Sequence, residues 1–136
     1  MNEPCFYRVS VKALVTDSSG SFLLAKENGG TWDFLGGGLD HDEDPVAALK
    51  REITEETGLV VVGVLTKPAY FVTAKKPDMD VFIANVFYRV MVKNLDFRPS
   101  DECQELRYFS VEEAQIEKLL PNVIEFLKVY TPMVSA

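Results

Sequence analysis

Histidine is almost missing from this sequence and cysteine is scarce: His41 stands alone, and Cys5 and Cys103 are the only thiols among 136 residues. A triad built on imidazole, or a zinc site drawn from histidine and cysteine, has too little material to form. Nothing marks these two cysteines as a disulfide framework, and they are expected as reduced thiols in an intracellular protein. His41 is expected as a loop residue. Basic residues are also outnumbered, 14 Lys and Arg against 21 Asp and Glu, for a net charge of −7. That balance argues against a nucleic-acid polymer or an anionic membrane as partner. No apolar run approaches about 18 residues and no charged-then-apolar leader opens the chain, so neither a membrane span nor a signal peptide is expected. A cytoplasmic location is the expectation. With 47% hydrophobic and 26% charged residues and no repeat, low-complexity tract or linker, the chain suits one domain over 1–136 with its own core. The expected assembly is a monomer or a homodimer.

What the chain does hold is a series of β-branched and aromatic stretches around one acid-rich helix. Residues 5–16 alternate Val9, Val11, Ala13 and Val15 against Ser10, Lys12 and Leu14, the period of a strand. Asp17, Ser18, Ser19 and Gly20 predict a turn and residues 22–26 a returning strand, so the pair reads as a hairpin. Residues 28–31 read as a flexible loop and 32–35 as a short extended piece leading into Gly36, Gly37 and Gly38. Three glycines let the backbone approach a phosphate or a metal closely. Residues 59–64 and 69–73 read as extended segments broken at Pro68, and 74–80 as a loop. The longest apolar run, 81–92, reads as a central strand buried on both faces. Ser110 and Glu113 predict a capping box, and Pro121 and Asn122 open a last amphipathic helix.

The stretch 37–59 reads GGLDHDEDPVAALKREITEETGL. Asp44 is a good N-cap, Pro45 suits the first helical position, and Gly58 can close the other end. Projected at about 100° per residue, Val46, Leu49 and Ile53 form an apolar stripe, with Glu52, Glu55 and Glu56 together on the neighbouring strip, half sheltered and pointing one way. Like charges at this spacing repel, and carboxylates near a helix C-terminus face the negative end of its dipole. A bound divalent cation removes both penalties. Hard cations such as Mg²⁺ prefer oxygen ligands, and a few carboxylates plus substrate phosphates are the usual means of holding one.

Gly37 is followed after five residues by Glu43, then after seven more by Arg51, Glu52, Ile53, Thr54, Glu55, Glu56, Thr57, Gly58 and Leu59. This resembles the Nudix box, GX5EX7REUXEEXGU with U a bulky apolar residue, at every defined position. At average residue usage such a match arises by chance in roughly one chain in a million or fewer. The flank Trp32, Asp33, Phe34, Leu35, Gly36, Gly37 is similar to the family's W-x-L-P-G-G approach, with Leu35 where proline is usual. Asp42 likewise stands where glycine often precedes the box glutamate.

The resemblance implies a Nudix α/β/α sandwich with a mixed β-sheet. It also implies metal-dependent hydrolysis of a pyrophosphate bond in a nucleoside diphosphate linked to another moiety, foremost a (deoxy)nucleoside triphosphate. ADP-ribose or a nucleotide sugar is the alternative substrate, and a catalytically silent nucleotide-binding sensor the alternative of another class. Carried over by position, Glu52, Glu55 and Glu56 would ligate Mg²⁺ or Mn²⁺, helped by the backbone of Gly36 and by a carboxylate from the acidic loop near residue 102. Glu102 is the candidate there, with Glu105 the alternative. Either Glu52 or Glu102 would serve as general base. Arg51 would fix Glu55 by pairing with it, Glu43 would be structural, and Gly37, Gly38 and Lys26 would contact the substrate.

Overall fold

The β-branched and aromatic stretches become strands in the computed structural model, which describes residues 3–133. In chain order these are β1 (Arg8–Leu14), β2 (Phe22–Lys26), β3 (Trp32–Asp33) and β4 (Gly36–Gly38), followed by α1 (Pro45–Thr57). Then come β5 (Val61–Val64), β6 (Tyr70–Lys75), β7 (Phe82–Val92), β8 (Glu105–Phe109), α2 (Val111–Ala114) and α3 (Pro121–Val129). Among the described residues no helix is long and apolar enough to cross a membrane.

β7 is the axis. It runs parallel to β1, with Arg8 opposite Ile83 and Leu14 opposite Arg89. Its other edge carries β6 and then β5, both antiparallel. β4 closes the far side by pairing antiparallel with β1. A second sheet, in the order β3-β2-β8, stands beside this mixed one. The predicted hairpin is therefore corrected: backbone pairing is confined to the turn, where Thr16 bridges Phe22 and the Leu23 N–H donates to the Val15 carbonyl oxygen, and β1 and β2 then part into different sheets. Two sheets give the chain two buried surfaces to cover, whereas a flat hairpin would give one. The predicted burial of 81–92 on both faces holds only through the middle of β7, since Phe82 and Met91 are exposed at its ends.

Each helix covers its own core. On one side α1 buries Leu49 and Ile53 against Val11, Leu35, Tyr88 and Val90. On the other, α3 inserts Phe126 among Phe22, Phe34, Phe87 and Tyr70, with ring centroids 4.7 to 5.4 Å apart, an aromatic cluster that adds edge-to-face attraction to its buried area. Layers of helix, sheet and helix result. The predicted caps form: Asp44 accepts the backbone N–H of Ala47, Gly58 takes the left-handed conformation at φ 72°, and Ser110 and Glu113 make a reciprocal box.

Candidate active site

The predicted glycine loop is an edge strand, and its glycines are required by what lies against them. Gly36 sits at φ 139°, and a Cβ there would fall 2.0 Å from the carbonyl oxygen of Val11. At Gly37 a Cβ would stand 2.7 Å from the carboxyl carbon of Glu52, and at Gly38 it would meet the Arg8 guanidinium. Two of the three helix acids thus reach this strand: Glu52 lies over Gly37, and Glu56 accepts the Gly36 N–H at 2.9 Å.

Glu102 arrives from a loop moored at both ends. The Ser100 hydroxyl donates to the Glu56 carbonyl oxygen at 2.8 Å, and the Arg98 N–H donates to that of Thr57 at 2.7 Å. From the β2 side, Asn28 N–H donates to Asp101 O and Gln104 N–H to Lys26 O. Held so, the Glu102 carboxyl group lies near enough to Glu56 to raise its pKa. Burial, reinforced by Glu102 and only partly offset by Gly36 N–H and Lys12, pushes the Glu56 carboxyl up to about 9. Burial also raises Glu52, with Glu55 and Glu102 adding to the shift and Arg51 opposing it. Glu27 is raised by burial too, with Asp33 and Glu102 contributing.

Glu55 departs from the expected common direction. Its side chain is 58% exposed and is held by Arg51 at 3.2 Å. Arg51 also reaches Glu43 at 3.1 Å and Glu52 at 3.5 Å, and Glu43 accepts the Asp40 N–H at 2.8 Å. Among the described residues no three acids, thiols or imidazoles stand together closely enough to hold a metal ion as they are. Glu105 faces Lys26, with 4.0 Å between them, and Lys26 stands 5.9 Å from the Trp32 ring centroid. Neither lines the cavity described next.

Beside the acidic centre opens a cavity of about 620 Å³, bounded by β4, floored by β1 and β7, and walled by the end of β6 and the start of α3. Its polar floor was not anticipated from the sequence. Lys12 is buried yet pairs with Asp33 at 3.0 Å. Burial alone would lower its pKa, but Asp33, with Glu56 and Glu27 beyond it, reverses the effect and keeps the ammonium charged. Asp33 also accepts from the side-chain amide of Asn122 at 2.8 Å and from the Phe34 N–H at 2.7 Å. With its nitrogen so engaged, Asn122 has a carbonyl oxygen that accepts no hydrogen bond among the described residues and can take another partner. The available signal was the alternation in β1, which puts Ser10 and Lys12 on the face opposite Val9 and Val11.

The Glu56 shift has a thermodynamic consequence. In metal-free protein, between about 4.5 and about 9 the folded chain retains a proton that the unfolded chain releases. Stability should therefore fall as pH rises through that window. Calorimetry in EDTA at pH 5, 7 and 9 should show a declining Tm, with a shallower decline in the Glu56→Gln variant. Identical slopes for the two proteins would contradict the burial of an acid at this position.

Comparison with known proteins places these features in context. The NUDIX domain model matches residues 6–130. An RNA pyrophosphohydrolase of Saccharophagus degradans is 44% identical over 55 residues, 39% of this chain and 32% of that protein. Another from Pseudomonas putida is 40% identical over 60 residues, 43% of this chain and 38% of that one. The matched stretch thus spans about a third of the length of these curated relatives. Among solved structures, the MutT protein from Methanosarcina mazei superposes with a TM-score of 0.65 at 26% identity, covering 89% of each chain. The E. coli ORF135 protein gives 0.67 at 25% identity, covering 90% of this chain and 86% of that one.

Proposed function

The chain belongs to the Nudix family, and from that premise we propose that it hydrolyses a pyrophosphate bond in a nucleoside diphosphate linked to another moiety, foremost a (deoxy)nucleoside triphosphate, using Mg²⁺ or Mn²⁺. The observation that supports this most directly is the convergence of Glu52 and Glu56 on the backbone of Gly36 and Gly37, with Glu102 drawn alongside. Carboxyl groups gathered in a partly buried place cannot all ionise cheaply without a counter-charge. An all-oxygen donor set with no thiolate or imidazole suits a hard cation.

Glu52, Glu56 and Glu102 would hold the ion together with the Gly36 backbone, and Glu55 would join by turning away from Arg51. Held there, the ion would supply charge neutralisation at the pyrophosphate oxygens. The remaining work belongs to the chain. The side-chain-free edge of Gly37 and Gly38 lets phosphate oxygens approach the backbone. Glu52 or Glu102, whichever is less engaged with the ion, takes a proton from the attacking water. Arg51 restrains Glu43 and Glu52, so that these acids meet the substrate at little further entropic cost, while its pairing with Glu55 must break for that residue to join. The cavity has the volume of a nucleotide-sized site, and its Asn122 end offers fixed polar groups to a base.

The test is hydrolysis of a panel of nucleoside triphosphates, ADP-ribose and nucleotide sugars with Mg²⁺ or Mn²⁺, followed by product analysis. Release of a nucleoside monophosphate is expected, and excess EDTA should abolish it. Turnover persisting in EDTA would refute the metal requirement. Binding of a panel member without any turnover would favour the sensor reading instead.

A further inference from the structure

One acid on the cavity wall is left without a task by the pyrophosphate chemistry. Glu27 stands half-buried just past the end of β2 and lines the cavity. Its backbone is tied on both sides, the N–H donating to Thr31 O at 2.9 Å and the carbonyl oxygen accepting from the Gly30 N–H at 2.9 Å. Its carboxylate is not: among the described residues it forms no ion pair. A carboxylate sheltered from water with no donor beside it carries an uncompensated desolvation cost, and burial raises its pKa accordingly. Lys12 favours its charge from a distance but gives its hydrogen bond to Asp33.

The place of this side chain follows from strand register. Ala25 faces Asp33 across β2 and β3, and the bond from Glu27 to Thr31 carries that pairing one step further, so Glu27 and Asp33 are diagonal neighbours on one face, about 7 Å apart. Asp33 in turn holds Asn122 at 2.8 Å. Along the other edge of β2 the Gln104 N–H donates to Lys26 O and the Asn28 N–H to Asp101 O, so Glu27 and Glu102 are enclosed by the same two bonds. Glu27 therefore stands between the acidic centre and the Asn122 end. A nucleotide has a fixed order of phosphate, sugar and base. With the pyrophosphate at the acids and the base at Asn122, the group that passes Glu27 is the sugar.

We propose that Glu27 accepts hydrogen bonds from the ribose hydroxyls, so that the chain prefers ribonucleotides to their 2′-deoxy forms. The chemistry suits the position. A carboxylate offers only acceptors, a vicinal diol offers donors, and an O–H···O⁻ bond is among the stronger kinds. Acids read the ribose 2′ hydroxyl in this way at dinucleotide sites. A phosphate at the same point would meet Glu27, Asp33 and Glu102, whose charges already oppose one another. A purely structural Glu27, serving only as a counter-charge to Lys12, would leave the choice of sugar untouched.

This inference rests on the pyrophosphohydrolase reading for the direction in which the nucleotide lies, so its test has an arm that needs no catalysis. The α,β-methylene analogues of ADP and GDP, and of their 2′-deoxy forms, are titrated calorimetrically into the Mg²⁺-loaded protein. Each ribo form should bind about 10-fold or more tightly than its deoxy partner, as expected for a hydrogen bond to a charged group. Glu27→Ala should bring that ratio close to one, whereas Glu27→Gln, which keeps an acceptor oxygen at the same reach, should retain part of it. In the kinetic arm ATP is compared with dATP and GTP with dGTP. The alanine variant should lose its selectivity through KM, with the rise confined to the ribonucleotides. Equal binding of ribo and deoxy forms by the unmodified protein would overturn the proposal. So would an unchanged ratio in folded Glu27→Ala or, should that variant fail to fold, in Glu27→Gln. Weaker binding of Mg²⁺ alone by Glu27→Gln, with the sugar ratio intact, would make this acid a metal ligand and overturn it equally. Absence of turnover on every substrate, with a ribo preference that still depends on Glu27, would instead strike the hydrolase reading and leave the sugar contact standing.

Discussion

Replacing Glu56 with glutamine should lower Mg²⁺-dependent turnover by about 10³-fold or more, the scale expected when an anionic ligand at a catalytic cation is lost. The same change should leave the metal-free fold as stable at pH 7 as before, or slightly more so. Glutamine is isosteric with the protonated acid that burial enforces, and its carbonyl oxygen can still accept the Gly36 N–H that Glu56 accepts at 2.9 Å. Two measurements on one variant therefore move differently: steady-state rate collapses, while Tm in EDTA does not fall. The rise in Tm on adding Mg²⁺, which ligand binding to the folded form must produce, should shrink as well. Near-normal turnover in this variant would remove Glu56 from the metal site.

The second large effect is structural. Gly36→Ala should destabilise the protein by about 3 kcal/mol or more, lowering Tm by roughly 10 °C. The added methyl group would stand 2.0 Å from the Val11 carbonyl oxygen, on a backbone at φ 139°. No side-chain rotation relieves a clash with backbone, so β4 would have to lift from β1. The matched control is Gly29→Ala, at φ 101° with nothing within 4 Å of the new carbon, where conformational strain acts alone and a smaller loss is expected. Equal losses in the two variants would mean that the close crossing of β4 over β1 is unimportant for stability.

How far the sequence disclosed all this depended on the range of each interaction. The termini of α1 were legible because an N-cap, a helix-starting proline and a left-handed glycine act within one turn of themselves. The separation of β1 from β2 was not legible, because local turn chemistry at 17–20 is satisfied whether or not the strands stay paired. Nor was the arrangement around Glu102: Ser100 is tied to the Glu56 carbonyl from 44 positions away. The Asp33–Asn122 contact bridges 89 positions, and no period in a single chain announces such a pairing. Glu55 shows the opposite limit. The spacing of one turn led to its pairing with Arg51, but not to the consequence that this rotamer carries it away from the glycine strand that Glu52 and Glu56 reach.

The division of the interior into two cores carries a consequence for how such a domain can diversify. The acids ride on α1, whose anchors Leu49 and Ile53 belong to one core, while Asn122 rides on α3, whose anchor Phe126 belongs to the other. On the proposed reading, in which Asn122 meets the base and the α1 acids the pyrophosphate, substitutions that tilt α3 by reshaping its aromatic bed would retune what is accepted without disturbing the machinery that cuts. Divergent descendants of one ancestor could therefore explore new diets while inheriting the same blade.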